Sequence, residues 1–198
     1  IQAGFPCRIG VWNVADWQQQ KSWMIPGLGL AYAVSPDGRW LATGSGYGPL
    51  QLRNLSGRSR TTAVSLEAGS VTDVVFSPDG RLLAASNQEG TVKVWEVSTL
   101  RELADFRAHH RRVWTLTFSP DSRRLATAGD GEDALKLWDV ATWEELITLE
   151  RKGEMLNQLA FSADGNQLAA GNSKGDVLFW RVPSFAEIAA KEKKEKAQ

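Results

Sequence analysis

The chain is short of the residues that most often carry chemistry or covalent bracing. Among its 198 residues stand one cysteine, Cys7, and two histidines, His109 and His110. A single thiol excludes an intramolecular disulfide and a multi-cysteine zinc site, so packing must hold the fold. Neither charge is in excess: 23 Lys and Arg balance 23 Asp and Glu. That removes the general electrostatic attraction of a nucleic-acid or anionic-membrane binder. Long apolar runs are missing too, since Val177-Leu178-Phe179-Trp180 falls far short of the roughly 20 residues that cross a bilayer. Nothing reads as a cleavable signal. The lone cysteine favours a reducing, cytoplasmic compartment over an oxidising one.

What is present is a globular composition, 42% hydrophobic and 23% charged, together with an internal repeat. Ser35-Pro36-Asp37-Gly38 returns as Ser77-Pro78-Asp79-Gly80, Ser119-Pro120-Asp121-Ser122 and Ser162-Ala163-Asp164-Gly165, at spacings of 42, 42 and 43 residues. A second marker keeps the same beat: Val11-Trp12, Leu52-Arg53, Val94-Trp95, Leu137-Trp138 and Phe179-Trp180, spaced by 41, 42, 43 and 42.

Each period reads as four short strands. Val71 to Phe76 supplies branched and aromatic residues in a β pattern. Pro78 and Asp79 then favour the central turn positions, and Gly80 supplies the positive φ. Ser122 must accept a left-handed conformation at that place or take another turn type. Leu82 to Ser86, the polar turn Asn87 to Gly90, and Thr91 to Trp95 form a second hairpin. Ser98 to Leu103 and Ala141 to Leu146 each lead into a fourth, more polar strand.

In these residues the chain resembles the WD-repeat β-propellers, whose period is about 40 to 45 residues. Leu137-Trp138-Asp139 keeps the Trp-Asp pair itself, whereas Asn13, Asn54, Glu96 and Arg181 stand at that Asp elsewhere. The resemblance implies an all-β fold of four-stranded antiparallel blades, four to five of them, in an incomplete ring. The expected limits are a partial blade over 1–26, blades over about 27–68, 69–110, 111–153 and 154–190, and a tail over 183–198. In that tail Ser184 and Glu187 suit either a last outer strand or a capping box opening a short helix. A sequence starting mid-blade at Ile1 reads as the C-terminal portion of a longer chain, its ring completed by upstream blades or by self-association. The drifted repeats and Glu-Lys-rich tail also resemble bacterial WD-repeat proteins, where such a segment is the sensor or scaffold arm beside a kinase-like effector.

The resemblance further implies a structural network of His109, Thr127, Trp138 and Asp133 or Glu132. Glu67, Ile25 and Lys152 occupy the His position in the neighbouring repeats. His109 is thereby accounted for, and its neighbour His110 points to the opposite face, a poor metal clamp. Gly171-Asn172-Ser173-Lys174-Gly175 matches a nucleophile elbow on paper. It lies between two strands, with no His after it, and reads as a tight polar turn. Asp130-Gly131-Glu132-Asp133 lacks EF-hand spacing and reads as a solvated hairpin tip. Asn54-Leu55-Ser56 is a formal glycosylation sequon, relevant only in a secretory compartment. Trp12, Trp95, Trp138 and Trp180 share one repeat position and are expected in the core. Trp23, Trp40, Trp114 and Trp143 are less constrained.

No nucleophile, base and orienting group fall at one end of the repeats, so an enzyme or small-ligand propeller is the alternative reading rather than the first. The resemblance implies a non-enzymatic platform for protein partners, without cofactor or metal, and with neither nucleic acid nor membrane as partner. By repeat position its binding face carries Leu28, Ser70, Arg112 and Met155 before the first strands, and Tyr47, Gln88, Glu89, Glu132 and Lys174 in the second-to-third-strand turns. Arg112, Tyr47 and Met155 are the expected anchors.

Overall fold

The computed structural model describes residues 7–25, 29–45, 48–55, 61–64, 70–131, 134–149, 155–185 and 187. Five antiparallel sheets follow one another along the chain. A partial blade 1 holds β1 (Cys7–Trp12) and β2 (Gln19–Ile25). Blade 2 holds β3 (Gly29–Val34), β4 (Trp40–Ser45), β5 (Gly48–Asn54) and β6 (Thr61–Val64). Blade 3 holds β7 (Val71–Phe76), β8 (Leu82–Asn87), β9 (Thr91–Glu96) and β10 (Glu102–Arg107). Blade 4 holds β11 (Val113–Phe118), β12 (Arg124–Gly129), β13 (Leu135–Asp139) and β14 (Glu145–Leu149). Blade 5 has three strands among the described residues, β15 (Leu156–Phe161), β16 (Gln167–Asn172) and β17 (Val177–Arg181). Within each sheet every strand pairs with the next in sequence, and β3, β7, β11 and β15 pack side by side as the inner strands. These are propeller blades, and among the described residues the sheets do not close into a ring.

Alternation along the strands builds one apolar layer between each neighbouring pair from blade 2 to blade 5. Trp95 faces back onto the layer with Leu50, Leu52, Val71 and Leu83, while Val92 and Val94 face forward onto Val113, Leu116, Leu125 and Trp138. A third layer joins Leu135 and Leu137 to Leu156, Leu168 and Trp180. An interior sheet is therefore covered on both faces, and all six residues of β12 are buried. Its Leu-Ala-Thr-Ala run suits that crowded place, because small side chains let two sheets approach at once.

The first-to-second-strand turns are copies of one device. Gly80 N–H donates to Ser77 O at 2.8 Å, Ser77 Oγ–H donates to Asp79 Oδ1 at 2.5 Å, and Leu82 N–H donates back to Ser77 Oγ at 2.9 Å. The serine hydroxyl and the backbone N–H of Arg39 hold Asp37 below its ordinary pKa, as Ser162 and Asn166 do for Asp164. Gly38, Gly80 and Gly165 complete the turn at φ of 69°, 72° and 71°. Ser122 takes the left-handed option at φ 59°, and its Oγ accepts the Asp79 N–H of the preceding blade at 3.1 Å. That bond offsets part of the strain of about 1–2 kcal/mol.

Beyond β17 the chain departs from its own repeat. Leu100 and Trp143 turn toward a fourth strand with φ of 59° and 60°, whereas Phe185 and Glu187, at the corresponding place, are helical. Ser184 and Glu187 form a reciprocal capping box: Ser184 N–H donates to Glu187 Oε2 at 2.8 Å, and Glu187 N–H to Ser184 Oγ at 3.3 Å. This is the geometry that opens a helix; of the tail 183–198 only residues 183–185 and 187 are described. The turn is pinned to blade 4. Arg124 donates to Pro183 O at 3.1 Å and to Gly165 O at 3.0 Å, and Arg123 lies 4.5 Å over the Phe185 ring.

One expectation fails. Trp12 is 55% exposed rather than core, whereas Trp138 is 6% exposed, Trp95 is buried and Trp180 is half-buried against the third layer. Trp95 and Trp138 pack against the blade before their own, and among the described residues no sheet precedes that of Trp12.

Candidate functional site

Strand polarity sorts the turns into two ends. The Ser-Pro-Asp turns and the third-to-fourth-strand turns lie at one end. The second-to-third-strand turns and the crossings from one blade to the next lie at the other, called here the top face. In blade 3 the top turn is held by Asn87, whose Oδ1 accepts the N–H of Glu89 at 3.1 Å and of Thr91 at 2.9 Å. Asn172 does the same in blade 5 for Lys174 at 3.0 Å and Asp176 at 2.9 Å. The Gly171–Gly175 stretch is thus a strand-to-strand turn and no nucleophile elbow.

The crossing into blade 4 is the best-braced part of this face. Gly90 O accepts the N–H of Ala108 at 2.8 Å and of His109 at 3.1 Å. Below it His109 Nε2 lies 2.8 Å from Thr127 Oγ1, and Trp138 Nε1–H donates to the same oxygen at 3.0 Å. All three residues are buried, so the chain has satisfied groups that would each be costly to leave alone. Their proposed fourth partner, Asp133 or Glu132, lies outside the described residues. In the registers of blades 3 and 5, Ala85 and Ala170 stand where Thr127 stands, opposite Lys93 and Leu178. Those blades have no hydroxyl at that place.

Of the expected top-face residues, Ser70, Gln88 and Glu89 come together in blade 3, with Gln88 N–H donating to Ser70 O at 3.1 Å. Arg112 sits on the adjoining crossing, half-buried, and its guanidinium carbon lies 4.2 Å from the centroid of the Trp114 ring. Met155, half-buried, and Lys174, exposed, sit at the same end of blade 5, where Leu156 pairs with Asn172. Leu28, Tyr47 and Glu132 lie outside the described residues.

Two residues not assigned to the site complete it. Trp114 lines a cavity of about 520 Å³ along the inner strands with Thr72, Asp73, Thr115, Asn157 and Gln158. Its indole N–H is buried without a hydrogen-bond partner among the described residues. The signal was present in Arg112-Val113-Trp114, because residues two apart on a strand share a face. Asp73 ties two blades together, accepting the N–H of its neighbour Val74 at 2.8 Å and of Leu116 on β11 at 3.0 Å. Burial pushes its carboxyl up, against the opposing pull of Leu116, Val74 and Thr115. A carboxylate within a mostly apolar inner strand, beside Thr72, was the clue to this role.

Among the described residues no three His, Cys, Asp or Glu side chains gather closely enough to hold a metal ion. No helix among them is long and apolar enough to cross a membrane.

The family model described as WD domain, G-beta repeat matches residues 60–96 and 100–139. The two matches end with β9 and β13, the strands that carry Trp95 and Trp138. Residues 60–96 and 100–139 are thus repeats of the WD family. No curated protein matches it. WD repeats generally serve as protein-interaction scaffolds and are typically non-enzymatic.

Proposed function

We propose that this WD-repeat segment binds partner proteins through its top face and performs no chemistry of its own. The observation that carries the reading is the joining of the blade 3 turn and the blade 4 crossing into one braced surface. Ser70, Gln88 and Glu89 are hydrogen-bonded into that surface, with Arg112 stacked beside them. A fixed surface of mixed polar and aromatic groups loses little side-chain entropy on association. Arg112 and Met155 are the anchors among the described residues, Arg because it is enriched at energetic hot spots and Met because its chain adapts to irregular partners. Leu28, Tyr47, Glu132 and Lys174 extend the same face by repeat position.

The test is affinity for peptides or proteins selected on the wild-type chain. Replacing Arg112, Tyr47 and Met155 together by Ala is expected to weaken binding at least about tenfold while leaving the thermal midpoint unchanged. Unchanged affinity would overturn the assignment of the binding face.

A further inference from the structure

We infer that the Arg112 corner of the top face is built to receive a carboxylate from an acidic side chain of the partner protein, an inference that rests on the top-face reading above. A guanidinium lying on an indole spends its flat side on the ring and leaves its in-plane N–H donors directed outward. Arg112 lies over such a ring, half-buried, with its guanidinium carbon 4.2 Å from the Trp114 ring centroid. Among the described residues no carboxylate pairs with it.

A partly desolvated cation with open donors is an incomplete arrangement, because desolvation has a cost that the ring repays only in part. The group that completes it is planar, anionic and able to take two parallel N–H bonds, which describes a carboxylate. The indole N–H of Trp114 is a further donor without a partner among the described residues.

The neighbourhood supports the same sign of partner. Arg111 is exposed beside Arg112, and Arg107, also exposed, donates through Nη2 to His110 O at 2.8 Å. Among the described residues the acids of the adjoining turns are Glu89, exposed at its turn tip, and Asp130; Glu67, Glu132 and Asp133 lie outside the described residues. Asp73, deeper along the inner strands, already has its oxygens engaged by Val74 and Leu116, so it does not present a free anion against an incoming acid.

The experiment is a selection from a displayed library of random peptides against the wild-type chain, followed by a double-mutant cycle. Enriched peptides are expected to share an Asp or Glu. Changing that residue to Asn or Gln is expected to weaken binding at least about tenfold, as should Arg112→Gln, and the two changes together should weaken it little more than either alone. Arg112→Lys, which keeps the charge but loses the fork and the stack, is expected to recover only part of the affinity. Arg112→Gln must melt as the wild type does, which separates lost recognition from lost fold. Peptides without a shared acid that still lose affinity on Met155→Ala or Gln88→Ala would overturn the carboxylate and leave the top face standing. Enriched peptides indifferent to every top-face change would overturn both, as would a library that yields no binder.

Discussion

Trp138 and Trp12 stand at the same place in the repeat, the end of a third strand, yet one is 6% and the other 55% exposed. The forward faces repeat the contrast: Leu137 is 1% exposed in blade 4, and its counterpart Phe179 is 70% exposed in blade 5. The motif fixes where a side chain points, and the neighbouring blade decides whether that direction is core. In a repeat fold each unit contacts only its neighbours, so identical residues differ in worth by position along the array. Tyr32 teaches this too, being 74% exposed where Val74 of the next blade is 1% exposed.

The comparison can be broken most decisively at the tryptophans. Trp138→Ala is expected to cost about 3–5 kcal/mol, since it empties a closed layer and strips Thr127 of a donor. Trp12→Ala should cost less than about 1 kcal/mol. Urea denaturation followed by circular dichroism measures both, and equal costs would refute the neighbour argument.

The next effect compares two glycines at one turn position. A Cβ on Gly90 (φ 89°) would collide with His109 O and Arg111 O, whereas around Gly175 (φ 91°) nothing lies within 4 Å. Gly175→Ala carries only the left-handed penalty of about 1–2 kcal/mol. Gly90→Ala adds displacement of the blade 4 crossing and is expected to cost about 2–4 kcal/mol in all. Thermal melts of the pair give the difference.

Blade 4 can also be set against blade 3 through its hydroxyl. Thr127→Val removes the oxygen shared by His109 and Trp138 and should cost about 1–3 kcal/mol. Blade 3, with Ala85 at that place, already manages without it. A cost below about 0.5 kcal/mol would make the network ornamental.

The smallest effect lies at the chain's distal turn. The Arg181 guanidinium, 2.5 Å from Glu187 Oε1, together with Ser184, pulls the Glu187 carboxyl down to about 2. A carboxyl lowered on folding stabilises the turn fully above its unfolded pKa, near 4.3. That contribution drains as pH falls toward about 2. A carbonyl NMR titration is expected to show this low midpoint, and Ser184→Ala should raise it.

Much of this fold was legible because its signals are local. The Ser-Pro-Asp-Gly turns state their own geometry, while Ser122 left a left-handed backbone and another turn type both open, and the structure takes the first. His109, Thr127 and Trp138 were readable as a set only through the resemblance to WD repeats, whose shared network falls on these positions. Trp12 was misread because its burial depends on a sheet that its own residues do not encode. The bridge from Asp73 to β11 joins residues of two blades. Propensity along one strand does not report such contacts. The helical start at Phe185 competed with a hairpin of nearly the same sequence pattern, and only the closed capping box decides between them.

The most direct test of the top face as a binding surface sets it against the opposite end of the same molecule. Affinity for the selected peptides would be measured for two alanine pairs, Arg112 with Met155 on the top face and the exposed Arg39 with Arg81 at the other end. The expected result is a loss of at least about tenfold from the first pair and less than about twofold from the second. Equal losses, or a larger loss from Arg39 and Arg81, would contradict the assignment of binding to the top face.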